Sequence, residues 1–325
     1  MLLTAGEITI NVFSIICGLL MMIIVVWLRY SHPDVANTIS FKLSFWIGFV
    51  DVLWRTEFIL FKSNEIFDPI AGQDHWIPRL FLWLQHFLRI WAVLPSVCIA
   101  FDLQLTFIHG RKNLKRIQRW YIPFTFAFAL LATLIYLTRN KVAYDKEKLG
   151  ISSNTSLENI IITKALSMTL GIGLSILYSL IVVLMVLVKV FLLIRYIKRT
   201  QNLSKETRQK QTQIITSVLR VLLYPVVLII TQPTGIAIDW IGTLTTNPYL
   251  PAFIKVREID NVLQSSIGIF NFLVFLLNPA LHRALRRLSW WPNKDKSRVY
   301  MDDWEPPETS NVELKLRALD ETESV

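Results

Sequence analysis

The stretch SIGIFNFLVFLLNPALHRALRRLSWW, residues 266–291, is apolar for most of its length, carries an Asn-Pro pair at Asn278-Pro279, and ends as a basic run closed by two tryptophans. With the residues before it, the apolar part is long enough to cross ~30 Å of hydrocarbon as a helix. Proline removes a backbone N–H and crowds the preceding turn. Pro279 therefore disturbs the helix one turn before it leaves the membrane, where Asn278 is placed to satisfy the freed backbone groups. Beyond the pair, Leu281, Leu285 and Leu288 form one face and His282, Arg283, Arg286 and Arg287 the other. That pattern predicts an amphipathic helix lying on an anionic leaflet, with Trp290 and Trp291 at headgroup level. The arginines anchor and orient it on membrane lipid.

The same length rule, worked outward, finds seven spans near 8–29, 41–61, 79–108, 118–138, 163–194, 214–240 and 259–281. The third and fifth are long and should tilt or project. The expected fold is an all-α membrane protein, a seven-transmembrane helix bundle with an amphipathic eighth helix, over 1–291. Residues 292–325, rich in Pro, Ser, Thr and acids, read as a disordered acidic cytoplasmic tail. The chain is 53% hydrophobic and 18% charged, with a net charge of +10. Its basic residues sit between apolar spans, which points to orientation in a membrane and away from nucleic acid. The two cysteines, Cys17 and Cys98, lie inside apolar runs and say nothing about redox compartment. No Lys or Arg precedes the first apolar run, which is too long for a signal-peptide core, so it reads as a retained helix.

Orientation follows from the connections. Those after spans one, three, five and seven carry roughly twice as many Lys and Arg as the others, which puts the N-terminus outside and the C-terminus inside. A sequon at Asn154 falls in an outer connection under this topology, a candidate glycosylation site. A second, at Asn202, falls inside and should be silent.

Charges within spans are costly and turn toward the bundle interior. Asp51, Arg55 and Glu57 lie in span two, His86, Arg89 and Asp102 in span three, Arg220 in span six, and Asn271 and Asn278 in span seven. At ~1.5 Å per residue, Asp51 and Arg89 reach the same midplane level, roughly 15 Å from their respective ends, with Asn271 beside them. An Asp51–Arg89 pair across the bundle is expected, with Arg55, one turn from Asp51, as the rival partner. The pair either fixes packing alone or floors a ligand pocket with Arg55, Glu57 and His86 above it. The arginines would favour an anionic or strongly polar ligand. Near the inner face Asp102 and Arg220 also match in depth, roughly 10 Å in. A bridge there would latch spans three and six, with Tyr224-Pro225 and Pro233 as the hinge.

Together these features resemble a G-protein-coupled receptor, in detail the fungal nutrient-sensing and cAMP-receptor-like group. The matching stretches are LSFWIGFVD (43–51), LRVLLYPVVLI (219–229) and IGIFNFLVFLLNP (267–279). The resemblance implies a plasma-membrane receptor that senses an extracellular small molecule, a nutrient or an anionic or polar ligand, and activates a heterotrimeric G protein by movement of helix six. Arg111, Lys112, Arg116, Lys198, Arg199 and Lys210 would form the G-protein face, and Tyr224, Pro225, Asn278 and Pro279 would belong to the activation hinge. Departures are plain. The inner end of span three reads AFDLQLTFIHGRK (100–112), without the Asp/Glu-Arg-Tyr signature of rhodopsin-like receptors. No Tyr follows the Asn-Pro pair, and the usual outer disulfide has no cysteines.

A retinal protein needs a span-seven lysine for its Schiff base, and 259–281 contains none. An intramembrane metal hydrolase needs clustered ligands; only His86 of five histidines lies well inside a span, so neither an enzyme nor a metal site is expected, and no cofactor is implied. A seven-helix small-solute (sugar-type) transporter is the alternative, although no internal repeat is visible. Nothing in the sequence opposes a homo-oligomer.

Overall fold

The computed structural model describes residues 5–31, 33, 38–62, 76–111, 114–139, 142–145, 150–153, 171–199, 205–244, 251–278 and 281–282. It is almost entirely helical. Helix α1 spans Ala5–Ser31, α2 Ile39–Lys62, α3 Trp76–Leu103, α4 Tyr121–Arg139, α5 Leu174–Arg199, α6 Lys205–Leu244, α7 Pro251–Ser265 and α8 Ile267–Leu276. Five stretches are long and apolar enough to cross a membrane: Gly6–Ser31, Trp83–Ile108, Gly171–Arg199, Thr207–Ile241 and Lys255–Leu276. The last runs from α7 into α8 through Ser266, so the expected seventh span is two helices. Pro279, Asn154, Lys112, residues 283–291 of the expected amphipathic helix and the 292–325 tail lie outside the described residues.

The burial pattern is that of a bundle in lipid. Phe13, Ile23, Leu131 and Phe191 are all more than half exposed. Asn11, Ser14, Asp51, Arg55, Thr231, Gln232 and Asn271 are buried. Polar groups turned inward and bulky apolar groups turned outward match a solvent that offers no hydrogen bonds. Helix α3 is the hub, packing on α2, α4, α5 and α6, while α1 packs on α2, α7 and α8. One apolar core joins Met21, Leu28, Ile47, Ile99, Val186, Leu222 and Phe275. A second, built around Trp54, Phe87, Ile90, Trp91 and Leu228, lies in the other half.

Three elements depart from the expected outline. Helix α6 begins nine residues before the apolar run, because KETRQKQTQ is helix-favouring although polar. Helix α7 begins at Pro251, whose fixed φ suits a first helical turn. The connection after α4 contains an antiparallel hairpin, β1 Val142–Asp145 with β2 Gly150–Ser153, whose first strand lies against α3. Helix α6 runs unbroken through Pro225 and Pro233, so the expected hinge positions lie within continuous helix here. At its far end α3 loosens into a π segment, Gln104–Ile108, and stops at Gly110, whose φ of 62° only glycine adopts freely.

Helices α1 and α2 cross closely at Gly18 and Gly48. A Cβ on Gly18 would meet Val52 at 2.8 Å and the Gly48 carbonyl at 3.1 Å. Gly18→Val should lower stability by about 1–3 kcal/mol, read as a lower unfolding temperature in detergent. Gly171→Ala is the control: its methyl meets only Ile90, at 3.7 Å, and the melt should be unchanged.

Candidate functional site

The charged residues of α2 are the costliest in the chain, and the structure shows what holds them. The Ser14 hydroxyl of α1 donates to Asp51 Oδ2 at 3.1 Å. Arg55 Nε lies 3.4 Å from Asp51 Oδ1, on the same helix face one turn away. Arg55 also donates through Nη2 to the Gln264 carbonyl, next to the α7–α8 break, and its guanidinium stacks 4.1 Å over Trp54. Both ends of the pair are essentially sealed, at 3% and 2% side-chain exposure. Room for it comes from Gly268, where a Cβ would collide with Asp51 Oδ2 and the Ser14 hydroxyl.

This overturns the expected Asp51–Arg89 pair. Matching depth fixes a level along the bundle but not the direction a side chain faces. Asp51 is taken by Arg55, its neighbour on the helix, and Arg89 pairs across the bundle with Asp239 of α6, Nη1 to Oδ2 at 2.7 Å. Arg89 also points at the bare face of Gly235, where the Gln264 amide and the Asp260 carboxylate converge with it. Asp260 in turn accepts from Thr234 at 2.8 Å and from Gln264 at 3.3 Å. Gln264 donates to the Thr231 carbonyl at 2.9 Å and accepts from Gln232 at 3.3 Å. Nearby, Asn11 of α1 donates to the Ser265 hydroxyl, and Asn261 to Glu7.

The expected pocket residues thus divide. Asp51 and Arg55 form the sealed floor. Arg89 belongs to an α3–α6–α7 cluster with Asp239 and Asp260, and the Asp239 side chain is 34% exposed, which makes this the open side of the network. His86 is buried one turn from Arg89 on the same helix. Glu57, two residues past Arg55 and about 200° round the helix, does not join the pair. It is buried, and among the described residues neither carboxylate oxygen has a hydrogen-bond partner. Asn271 lines a cavity of about 10 Å³ with Ser96, Trp54, Thr231 and Gln232, room for about one water. Three carboxylates, Asp51, Asp239 and Asp260, face the two guanidiniums, so each arginine is already opposite an acid. The premise for an anionic ligand is therefore gone. Asp239, Asp260 and Gln264 were missed in the sequence, although the Asp260–Gln264 spacing of four already marks a polar face within an apolar span.

The inner pair is also corrected. Asp102 accepts from Gln118 at 2.8 Å and from the Tyr121 hydroxyl at 3.2 Å, and no ion pair joins it to Arg220, which is half-buried. Asp102 therefore clips the α3–α4 connection to the end of α3. The contact that does reach α6 at this level is Tyr224. Its buried hydroxyl shares a 2.7 Å hydrogen bond with Ser44 of α2 and meets the Asn278 side chain. Lys189 of α5 caps the π segment by donating to the Ile108 carbonyl at 3.0 Å. Arg111, Arg116, Lys198 and Arg199 are exposed at this same end. Lys210 lies within α6.

Removing one member of a sealed pair leaves an unpaired charge in the interior. Asp51→Leu should cost about 3–5 kcal/mol, and adding Arg55→Met should restore most of the loss, as a double-mutant cycle of thermal unfolding would show. Arg89→Ala should cost far less, because Asp239 keeps access to water. No family model matches the chain, and no curated protein matches it as a relative.

Proposed function

We propose that the protein is a multi-pass plasma-membrane receptor for a small polar ligand, in which α2 and α4 complete a seven-helix bundle with the N-terminus outside. On this reading it couples to a heterotrimeric G protein through its basic end, in the manner of the fungal nutrient-sensing and cAMP-receptor-like receptors. The observation that carries the reading is that α6 is tied at two levels. Toward one end Thr231, Gln232, Thr234 and Asp239 join it to α7 and α3. Toward the basic end Tyr224 joins it to α2. A polar ligand entering beside Asp239 competes for Arg89 and Asp260 and loosens the first set. The Tyr224–Ser44 bond is then what holds the basic end closed. One such bond contributes about 0.5–1.5 kcal/mol, enough to bias a two-state helix by several-fold. With both arginines already facing acids, the ligand chemistry favoured is a cation or a dense hydrogen-bond donor.

The transporter remains a second reading, resting on Glu57, a buried carboxylate without a donor among the described residues.

Nucleotide exchange on a fungal heterotrimeric G protein, driven by the purified chain in nanodiscs, tests the proposal. Wild type should give measurable exchange, and Tyr224→Phe should raise the basal rate about three- to tenfold, with Ser44→Ala matching it. Absence of exchange from all three, alongside solute uptake by proteoliposomes that Glu57→Gln abolishes, would replace the receptor with the transporter.

A further inference from the structure

We propose that the crevice between α1 and α2 is a binding site for one anionic phospholipid, held by an acyl chain in the crevice and by its phosphate at Arg29 and Lys42. The crevice has a volume of about 430 Å³ and is lined by Leu19, Met22, Ile23, Val26, Trp27 and Phe45, with almost no polar surface. It faces outward, since Ile23 is 62% exposed and Leu19, Val26 and Trp27 are each more than 40% exposed. The glycine crossing at Gly18 and Gly48 lies alongside. It draws the two helix backbones together, leaving a concave seam rather than a ridge on the lipid side.

What singles this seam out is its end. Helix α1 runs toward the basic face and finishes at Ser31; α2 starts from that face at Ile39. Arg29 is one turn beyond Val26, and Lys42 is one turn before Phe45, so helix geometry sets both cations past the same end of the crevice. Both are exposed, and among the described residues neither side chain has an ion-pair or hydrogen-bond partner. Trp27, within the crevice wall, sits at the depth where indoles favour the headgroup boundary. An apolar slot that stops at two exposed cations has the form of a lipid chain joined to a phosphate. A neutral zwitterionic lipid brings its own cation to the same place and gains less. The site is independent of the receptor reading. The arginines after Pro279 lie at the other end of the sequence, so they can be varied independently of Arg29 and Lys42.

Native mass spectrometry of the full chain, taken from micelles of mixed phosphatidylcholine and phosphatidylserine, tests the site. Wild type should retain one phosphatidylserine in preference to phosphatidylcholine. Arg29→Gln with Lys42→Gln should weaken that retention about thirty-fold, the fold-change for two cations at about 1 kcal/mol each near an anionic headgroup. Ile23→Trp, filling the slot with both cations left in place, should weaken it too. Unfolding temperatures of all variants should match wild type. The proposal is overturned if the double variant keeps its phosphatidylserine, or if wild type shows no preference between the two lipids. It is equally overturned if retention is lost only on Arg283, Arg286 and Arg287→Gln, or if Ile23→Trp abolishes a dimer instead of a lipid adduct.

Discussion

A carboxylate and a guanidinium sealed inside a bundle surrounded by hydrocarbon set the terms for everything around them. Neither Asp51 nor Arg55 has water to fall back on, so each must be met by protein. Ser14 reaches in from α1, the Gln264 carbonyl is offered from α7, Trp54 covers the guanidinium, and Gly268 gives up a side chain so that α8 can pass. Four helices are thereby fixed in register by one pair. The rest of the polar interior grows from that point, because Gln264, held by Arg55 at its backbone, uses its side chain to gather Thr231, Gln232 and Asp260.

The division of labour between the two arginines follows from access. Arg55 is locked among buried groups, Asp51, the Gln264 carbonyl and Trp54, which suits a structural post. Arg89 faces Asp239 at the rim and Asp260 in the wall, with Gly235 leaving its guanidinium space to move between them. Two acids competing for one base at the open side of a sealed network form an arrangement that an incoming polar molecule can rebalance at modest cost, since solvent already screens part of the rim pair.

Much of this was legible in the chain, and what failed did so for a physical reason. Long apolar runs locate helices because the bilayer thickness sets their length, and Asp51, Arg55 and Asn271 were rightly placed inside the bundle. Partner choice was not legible. A depth count orders residues along an axis and is blind to rotation about it, so it matches Asp51 to Arg89 and Asp102 to Arg220. The structure instead gives Arg55 to the first and the local pair Gln118 and Tyr121 to the second. Asp239 and Asp260 escaped notice: Asp239 lies near the end of its helix, where a charge is unremarkable by composition, and Asp260 near the start of the seventh apolar run. The hairpin at Val142–Ser153 escaped because its strands alternate too weakly to stand out from a loop.

Helix α6 is 40 residues long, about 60 Å at 1.5 Å per residue, roughly twice the thickness of the hydrocarbon it crosses. From Tyr224 to its first turn at Lys205 it extends about 28 Å as one uninterrupted rod. A tilt of 10° about the Tyr224 level would carry that end sideways by about 5 Å, close to one helical pitch, while side chains near the pivot move by a fraction of that. Under such a tilt the helix would act as a lever pivoting beside the Tyr224 hydroxyl, which meets Ser44 and Asn278. The length below the apolar run comes from the polar turns of residues 205–213.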